Sequence, residues 1–145
     1  MTEIVVKPIG IQDVVKIHKT VTEFTPYPET HFEERLKGID NLVIGAYINE
    51  DLVGYLIGYD RFRDSSLYCW MTGVSPHFRR QGVLKALMNY QAEWARKRGY
   101  TKIKIKTRNK LREMLAYLVM NGFYFTEVVK YSDIEDNRIF LEKNL

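Results

Sequence analysis

Between Asp64 and Glu93 the chain has no acidic residue, and Arg79, Arg80 and Lys85 fall inside that gap around Gly82. Residues so arranged serve the capture of an anion. The segment Val74-Ser75-Pro76-His77-Phe78-Arg79-Arg80-Gln81-Gly82-Val83-Leu84 leaves an apolar stretch, is broken by a proline and enters a helical pattern, so Gly82 stands at a helix start. A helix N-terminus has four N–H groups without intrahelical partners and about half a positive charge. Cations placed there cost several tenths of a kcal/mol each, and a bound phosphate reverses the sign. A residue without Cβ at Gly82 lets backbone N–H groups come close to that phosphate.

Other kinds of chemistry have fewer residues to draw on. Cys69 is the only cysteine, and His18, His31 and His77 are far apart with no second ligand at zinc spacing, so neither a disulfide framework nor a metal site is expected. Cys69 lies between Tyr68 and Trp70 in a strand pattern and reads as a buried structural thiol, which disfavours a route through a cysteine nucleophile.

At 145 residues and 46% hydrophobic, the chain suits one domain spanning residues 1–145, large enough to bury a core. The start, Met-Thr-Glu-Ile-Val-Val-Lys-Pro, carries an acid where a signal peptide would be basic, and no segment approaches the roughly 20 apolar residues of a membrane span. A cytoplasmic protein without a membrane partner is the expectation. The net charge of +4 is concentrated around Gly82 and in a second basic run from Arg96 to Arg112, again pointing to an anionic ligand.

The elements that must position these residues follow from periodicity. Glu3 to Lys7 reads as a strand, and Ile11, Val14, Val15, His18 and Val21 keep helical spacing. Residues 22–31, with two prolines, read as a loop before a short helix carrying Phe32 and Leu36 and closed by Gly38. Leu42 to Ile48 and Leu52 to Tyr59 form a hairpin around Asn49-Glu50-Asp51, and Leu67 to Val74 is a third such strand. From Val83 the apolar period changes to about 3.6, giving a helix of roughly 18 residues stopped near Gly99. Thr101 to Thr107 alternates lysines with apolar residues, a strand with one wet face, and Leu111, Met114, Leu115, Leu118 and Val119 mark a last helix ending at Asn121-Gly122. Phe123 to Tyr131 and Arg138 to Glu142 close the order as a hairpin. The fold class is mixed α/β, a mainly antiparallel sheet flanked by helices, with a central strand-helix-strand unit whose strands are parallel because the crossover is helical.

On these residues the chain resembles the GNAT superfamily of N-acetyltransferases. That family's acetyl-CoA loop reads Arg/Gln-x-x-Gly-x-Gly/Ala after a strand ending in Val-x-Pro, and Val74 to Val83 is similar to it. Gly122-Phe123 behind the Asn109 helix looks like the second signature. The resemblance implies that acetyl-CoA is the cosubstrate and that the backbone N–H groups of Arg79, Arg80, Gln81, Gly82, Val83 and Leu84 hold its pyrophosphate. It further implies that the pantetheine arm lies along Thr72, Gly73 and Val74, where the strand splays from its parallel neighbour, and that Asn109 contacts the same arm. Leu84 departs from the Gly or Ala usual at its position, and its side chain either points into the core or crowds the phosphates.

In many members a tyrosine four residues before the Gly-Phe pair protonates the departing thiolate. Here that position is Leu118, and its neighbour Tyr117 is the candidate catalytic residue. No glutamate base lies on the strand before the loop, where Tyr68 stands near the family position; Glu29, His31 and Glu33 are left to act through water. The implied activity is direct acetyl transfer from acetyl-CoA to a small-molecule or peptide amine, and a homodimer paired through a sheet edge stays open. Two other readings fit the same chain. A non-catalytic acyl-CoA sensor is favoured by Leu84 and by the missing glutamate. A nucleic-acid-binding module would use Tyr100 and the lysines of one strand face, but leaves the Pro76 to Leu84 arrangement without a use.

Overall fold

The computed structural model describes residues 3–21 and 24–145. In chain order the elements are β1 (Ile4–Pro8), α1 (Ile11–His18), α2 (Glu29–Leu36), β2 (Asn41–Ile48), β3 (Asp51–Tyr59), β4 (Ser66–Val74), α3 (Val83–Lys97), β5 (Lys102–Arg108), α4 (Arg112–Met120), β6 (Tyr124–Val129) and β7 (Arg138–Asn144). Single turns of 3-10 helix at Pro76–Phe78 and Ile134–Asp136 precede α3 and β7. The sheet has the order β1-β2-β3-β4-β5-β7-β6. Every pairing is antiparallel except β4 with β5, the two strands joined through α3.

Several elements differ in extent from the sequence reading. α1 stops at His18, and Val21 follows a turn in which Val21 N–H donates to His18 C=O. Within the segment read as a loop, residues 22 and 23 lie outside the described residues, and α2 already begins at Glu29 behind Pro28. α3 has 15 residues, about 22 Å at 1.5 Å per residue. β7 inserts between β5 and β6 and leaves β6 as an edge strand exposed along its whole length. The free edges are thus β1 and β6, where any pairing of two copies through the sheet would have to form.

Two cores sandwich the sheet. On one face Val83, Leu87 and Met88 of α3 and Leu115 and Leu118 of α4 pack on Leu56, Cys69, Ile103 and Ile105. Close approach of α3 depends on missing side chains: a Cβ on Gly54 would stand 2.9 Å from Val83, and one on Gly58 2.8 Å from Gln91. On the other face Val14, Ile17, Phe32 and Leu36 of the first two helices meet Tyr55, Ile57, Tyr59 and Tyr68. His18, buried there, has its Nε2 2.7 Å from Thr25 C=O and its Nδ1 2.6 Å from the Tyr55 hydroxyl. A carbonyl only accepts, so Nε2 carries the proton and the Tyr55 O–H donates to Nδ1.

Candidate active site

The central parallel pair separates along its length. β4 and β5 are paired from Ser66 opposite Lys102 to Cys69 opposite Ile105. Beyond that, β4 continues to Val74 against β3, while β5 continues to Arg108 against β7. The β3–β4 register shifts after Ile57, so that Trp70 is the extra residue on β4 between Cys69 and Met71. A bulge of this kind bends the strand that carries it. The bend lies at the point where β4 leaves β5, and it opens a V-shaped gap in the sheet.

On the α3 side of the gap is a cleft of about 760 Å³, lined by Thr72, Gly73 and Val74 of β4 and by Arg79, Arg80, Gly82, Val83 and Leu84 of the loop and first turn of α3. Tyr117 and Asn121 of α4 close it on the far side. On the α1–α2 side is a second cleft of about 570 Å³, with walls that include Tyr27, Trp70, Lys106, Arg108 and Arg138. Phe24, Thr72, Lys110, Leu111 and Met114 line both, so the two clefts meet at the gap.

The loop before α3 owes its form to two left-handed residues, Arg80 at φ 63° and Gly82 at φ 87°. Gly82 is the N-cap of α3, no side chain caps the helix, and Ala86 N–H donates to Gly82 C=O as the first turn closes. The amides of Val83, Leu84 and Lys85 are therefore those for which the helix itself supplies no acceptor. No acid lies in the first turn of α3, but α4 provides one: Arg80 pairs with Glu113 at 2.6 Å across the cleft mouth. With side chains 83% and 70% exposed, the pair is screened by solvent and holds the loop only weakly. Arg79 Nε donates to Val74 C=O at 3.2 Å and fastens the loop to the end of β4. Leu84 packs against the core and also lines the cleft.

The structure separates the remaining candidates. Leu118 is fully buried in the core, and Tyr117 beside it lines the cleft half-buried. Burial holds the Tyr117 phenol above its ordinary value, with a further push from Cys69, so it stays protonated at neutral pH. Burial also pushes the Cys69 thiol up to about 12, which leaves it an inert neutral group. Gln81 and Asn109 are not brought to the cleft lining. Gln81 Nε2 donates to His77 C=O at 3.3 Å, and Asn109 donates to Ile134 C=O at 3.1 Å while its Oδ1 accepts from Arg112 at 2.9 Å. Of the groups considered as bases, His31 has its ring stacked 4.0 Å from that of Tyr27, which lines the second cleft, and burial followed by the charge of Arg35 keeps its pKa below the usual value. The sequence reading missed Glu113, Lys110, Leu111 and Met114, although the apolar spacing of α4 already put Met114 on the inward side.

The mixed sheet is thus split between two parallel strands, with an uncapped helix N-terminus on one side and a second cleft on the other. Residues 11–123 match the model of the acetyltransferase (GNAT) family, and the chain belongs to that family. Its class of reaction is acyl transfer. Among solved structures it is similar to the ribosomal-protein-S18-alanine N-acetyltransferase of Escherichia coli, with a TM-score of 0.82 at 16% identity over 98% of this chain and 94% of that one. The IAA acetyltransferase of Bacillus cereus gives 0.80 at 17% identity over 99% and 100%. The PaiA N-acetyltransferase of Thermoplasma acidophilum, solved in complex with coenzyme A, gives 0.74 at 15% identity over 99% of each chain. At these identities the likeness is one of fold.

Proposed function

We propose that the protein transfers an acetyl group from acetyl-CoA to an amine by direct attack, with acetyl-CoA in the α3-side cleft and the amine in the cleft on the other face. The observation that carries this reading is the meeting of the two clefts at the gap between β4 and β5. A thioester lying along the end of β4 and an amine from the opposite face would share that gap without a covalent enzyme intermediate.

The residues fit the cosubstrate: an uncapped helix start opens on a cleft whose mouth holds Arg79, Arg80 and Lys85. In this reading the loop amides from Arg79 to Leu84 hold the pyrophosphate, and Gln81 contributes its backbone alone. The main chain of Thr72, Gly73 and Val74, released from β5, binds the pantetheine arm and polarises the thioester carbonyl. Gly73 is required there by packing, since a Cβ would stand 2.8 Å from the Tyr55 ring. Asn109 acts indirectly, by tying the β5–α4 connection to the turn before β7 and so positioning Lys110 and Leu111. Tyr117 donates a hydrogen bond to the sulfur as the C–S bond breaks and leaves CoA as the thiol. An alkyl ammonium with a pKa of about 10.4 is neutral in only about one molecule in 2,500 at pH 7, equivalent to roughly 4.6 kcal/mol, so the site must also favour loss of its proton. A cytoplasmic location belongs to the same reading, since the single cysteine is a buried free thiol.

Incubation with acetyl-CoA and an amine panel, followed by free thiol release and intact-mass measurement, tests the proposal. Direct transfer predicts CoA release that depends on the amine and a protein that stays unacetylated. Acetylation of Cys69 before amine is added would overturn it. Tight acetyl-CoA binding without any amine-dependent release would favour the acyl-CoA sensor.

A further inference from the structure

Lys102, Lys104 and Lys106 alternate along one face of β5, and the first two are answered by acids: Lys102 by Glu142 at 2.5 Å and Lys104 by Asp64 at 2.7 Å. Lys106, the next in the row, lies where β5 has left β4, on the wall of the second cleft. Among the described residues it has no ion pair, and the charges that act on it are those of Arg61, Arg138, Arg35 and Arg108. These come from four parts of the chain, namely α2, the turn after β3, the end of β5 and β7. None of the four arginines is ion-paired to a carboxylate among the described residues. Three of them are held by rings and neutral oxygens instead. Arg35 lies 5.0 Å above the Trp70 ring and donates to the Tyr59 hydroxyl at 3.2 Å; Arg61 lies 4.7 Å above Tyr68; Arg138 lies 4.4 Å above Tyr131 and donates to Asp136 C=O at 2.5 Å. Lys110, at the same cleft, is already matched by Asp136 at 3.3 Å. The described lining of the cleft contains no carboxylate.

Like charges gathered in a cleft without counter-charges repel one another and favour an anionic occupant. Rings of Phe24, Tyr27 and Trp70 form the rest of its wall, a surface for the apolar part of the same molecule. Resting on the proposed acetyl transfer, we infer that the acceptor is an amine whose own molecule bears a carboxylate or phosphate, held by Lys106, Arg108 and Arg138 of the cleft wall, with its apolar part against Phe24, Tyr27 and Trp70.

The cluster also bears on the proton that must be lost. Lys106 is itself a primary ammonium at this place, and burial, followed by the four guanidinium charges, holds its pKa below the ordinary lysine value. An acceptor ammonium entering the same field is pushed the same way, while its carboxylate or phosphate compensates for the cost of entry. A cleft of this charge favours the neutral amine without a glutamate on β4.

The test uses matched acceptors that differ only in the anionic group: tryptophan against tryptamine, and O-phosphoethanolamine against ethanolamine, with acetyl-CoA saturating and at low ionic strength. The anionic member of at least one pair is expected to show a kcat/KM about ten-fold or more above its partner, and the pair that responds tells carboxylate from phosphate. Lys106→Gln and Arg138→Gln should remove most of that preference and move the rising limb of the pH profile to higher pH. Inorganic phosphate should raise the Tm of the CoA-loaded protein, and Lys106→Gln should abolish the rise. Equal or greater use of the partners that lack the anionic group overturns the inference, as does the absence of both a preference and a phosphate-dependent rise. Failure of acetyl-CoA itself to raise Tm would instead strike at the transferase reading, while the phosphate measurement on the unloaded protein and its loss in Lys106→Gln would still report on the cation cluster.

Discussion

Tyr117 and Gly82 make different single-residue demands. The phenol of Tyr117 is held protonated by burial at the wall of the cleft, so Tyr117→Phe should lower kcat by about a hundred-fold and leave the thermal shift produced by acetyl-CoA intact, which separates loss of a proton donor from loss of the binding site. Gly82 has open space around it, since a Cβ there would meet only Ile4 at 3.7 Å, but its φ of 87° belongs to glycine. Gly82→Ala should cost about 1–2 kcal/mol through the backbone alone, lowering Tm by a few degrees, and should weaken acetyl-CoA binding because the loop amides move. The importance of Gly82 was legible in the sequence, as was the boundary it sets. The placement of Asn109 was not, because whether an asparagine faces a cleft or a turn depends on carbonyls such as that of Ile134, 25 residues away. Similarly, nothing near Arg80 in sequence foretells Glu113 as its partner.

At the scale of elements, the joined half of β4 and β5 and the open half are distinguished by charge as well as by pairing. Asp64 accepts from Lys104 and from Ser66 beside the joined half, and these contacts, the lysine's first, hold its carboxyl at about 2. Its folded value is below that of an unfolded aspartate, near 3.9. The stability it adds is therefore fully present above pH of about 4 and is lost as pH falls toward 2. Thermal unfolding of the native protein and of Asp64→Asn should differ above pH 4 and converge on acidification; a gap that persists at pH 2 would assign the effect to packing. The alternation of Lys102, Lys104 and Lys106 already marked one wet strand face in the sequence, and the change of period at Val83 marked the helix crossover that makes β4 and β5 parallel. The bulge at Trp70 and the insertion of β7 between β5 and β6 were not legible, because strand pairing joins residues distant along the chain and no local pattern records which neighbours a strand will take.

For the whole molecule, the split sheet explains why a chain with one inert cysteine suits acyl transfer: two clefts on opposite faces meet at one opening, and each has its own charge logic. The order of elements and the loop before α3 were enough to indicate the family. The second cleft was hidden, since Lys106, Arg108 and Arg138 reach one wall only in the folded chain, and that Lys102 and Lys104 have acidic partners while Lys106 has none among the described residues can be read only there. No helix among the described residues is long and apolar enough to cross a membrane. The decisive experiment is thermal unfolding with acetyl-CoA, with CoA and with ATP as a control for generic phosphate binding. At one hundred times its dissociation constant, acetyl-CoA should add about 2.7 kcal/mol and raise Tm by several degrees, with CoA close behind and ATP far below. No rise at millimolar acetyl-CoA, or an equal rise with ATP, would contradict the assignment of the α3-side cleft to acetyl-CoA and with it the proposed acetyl transfer.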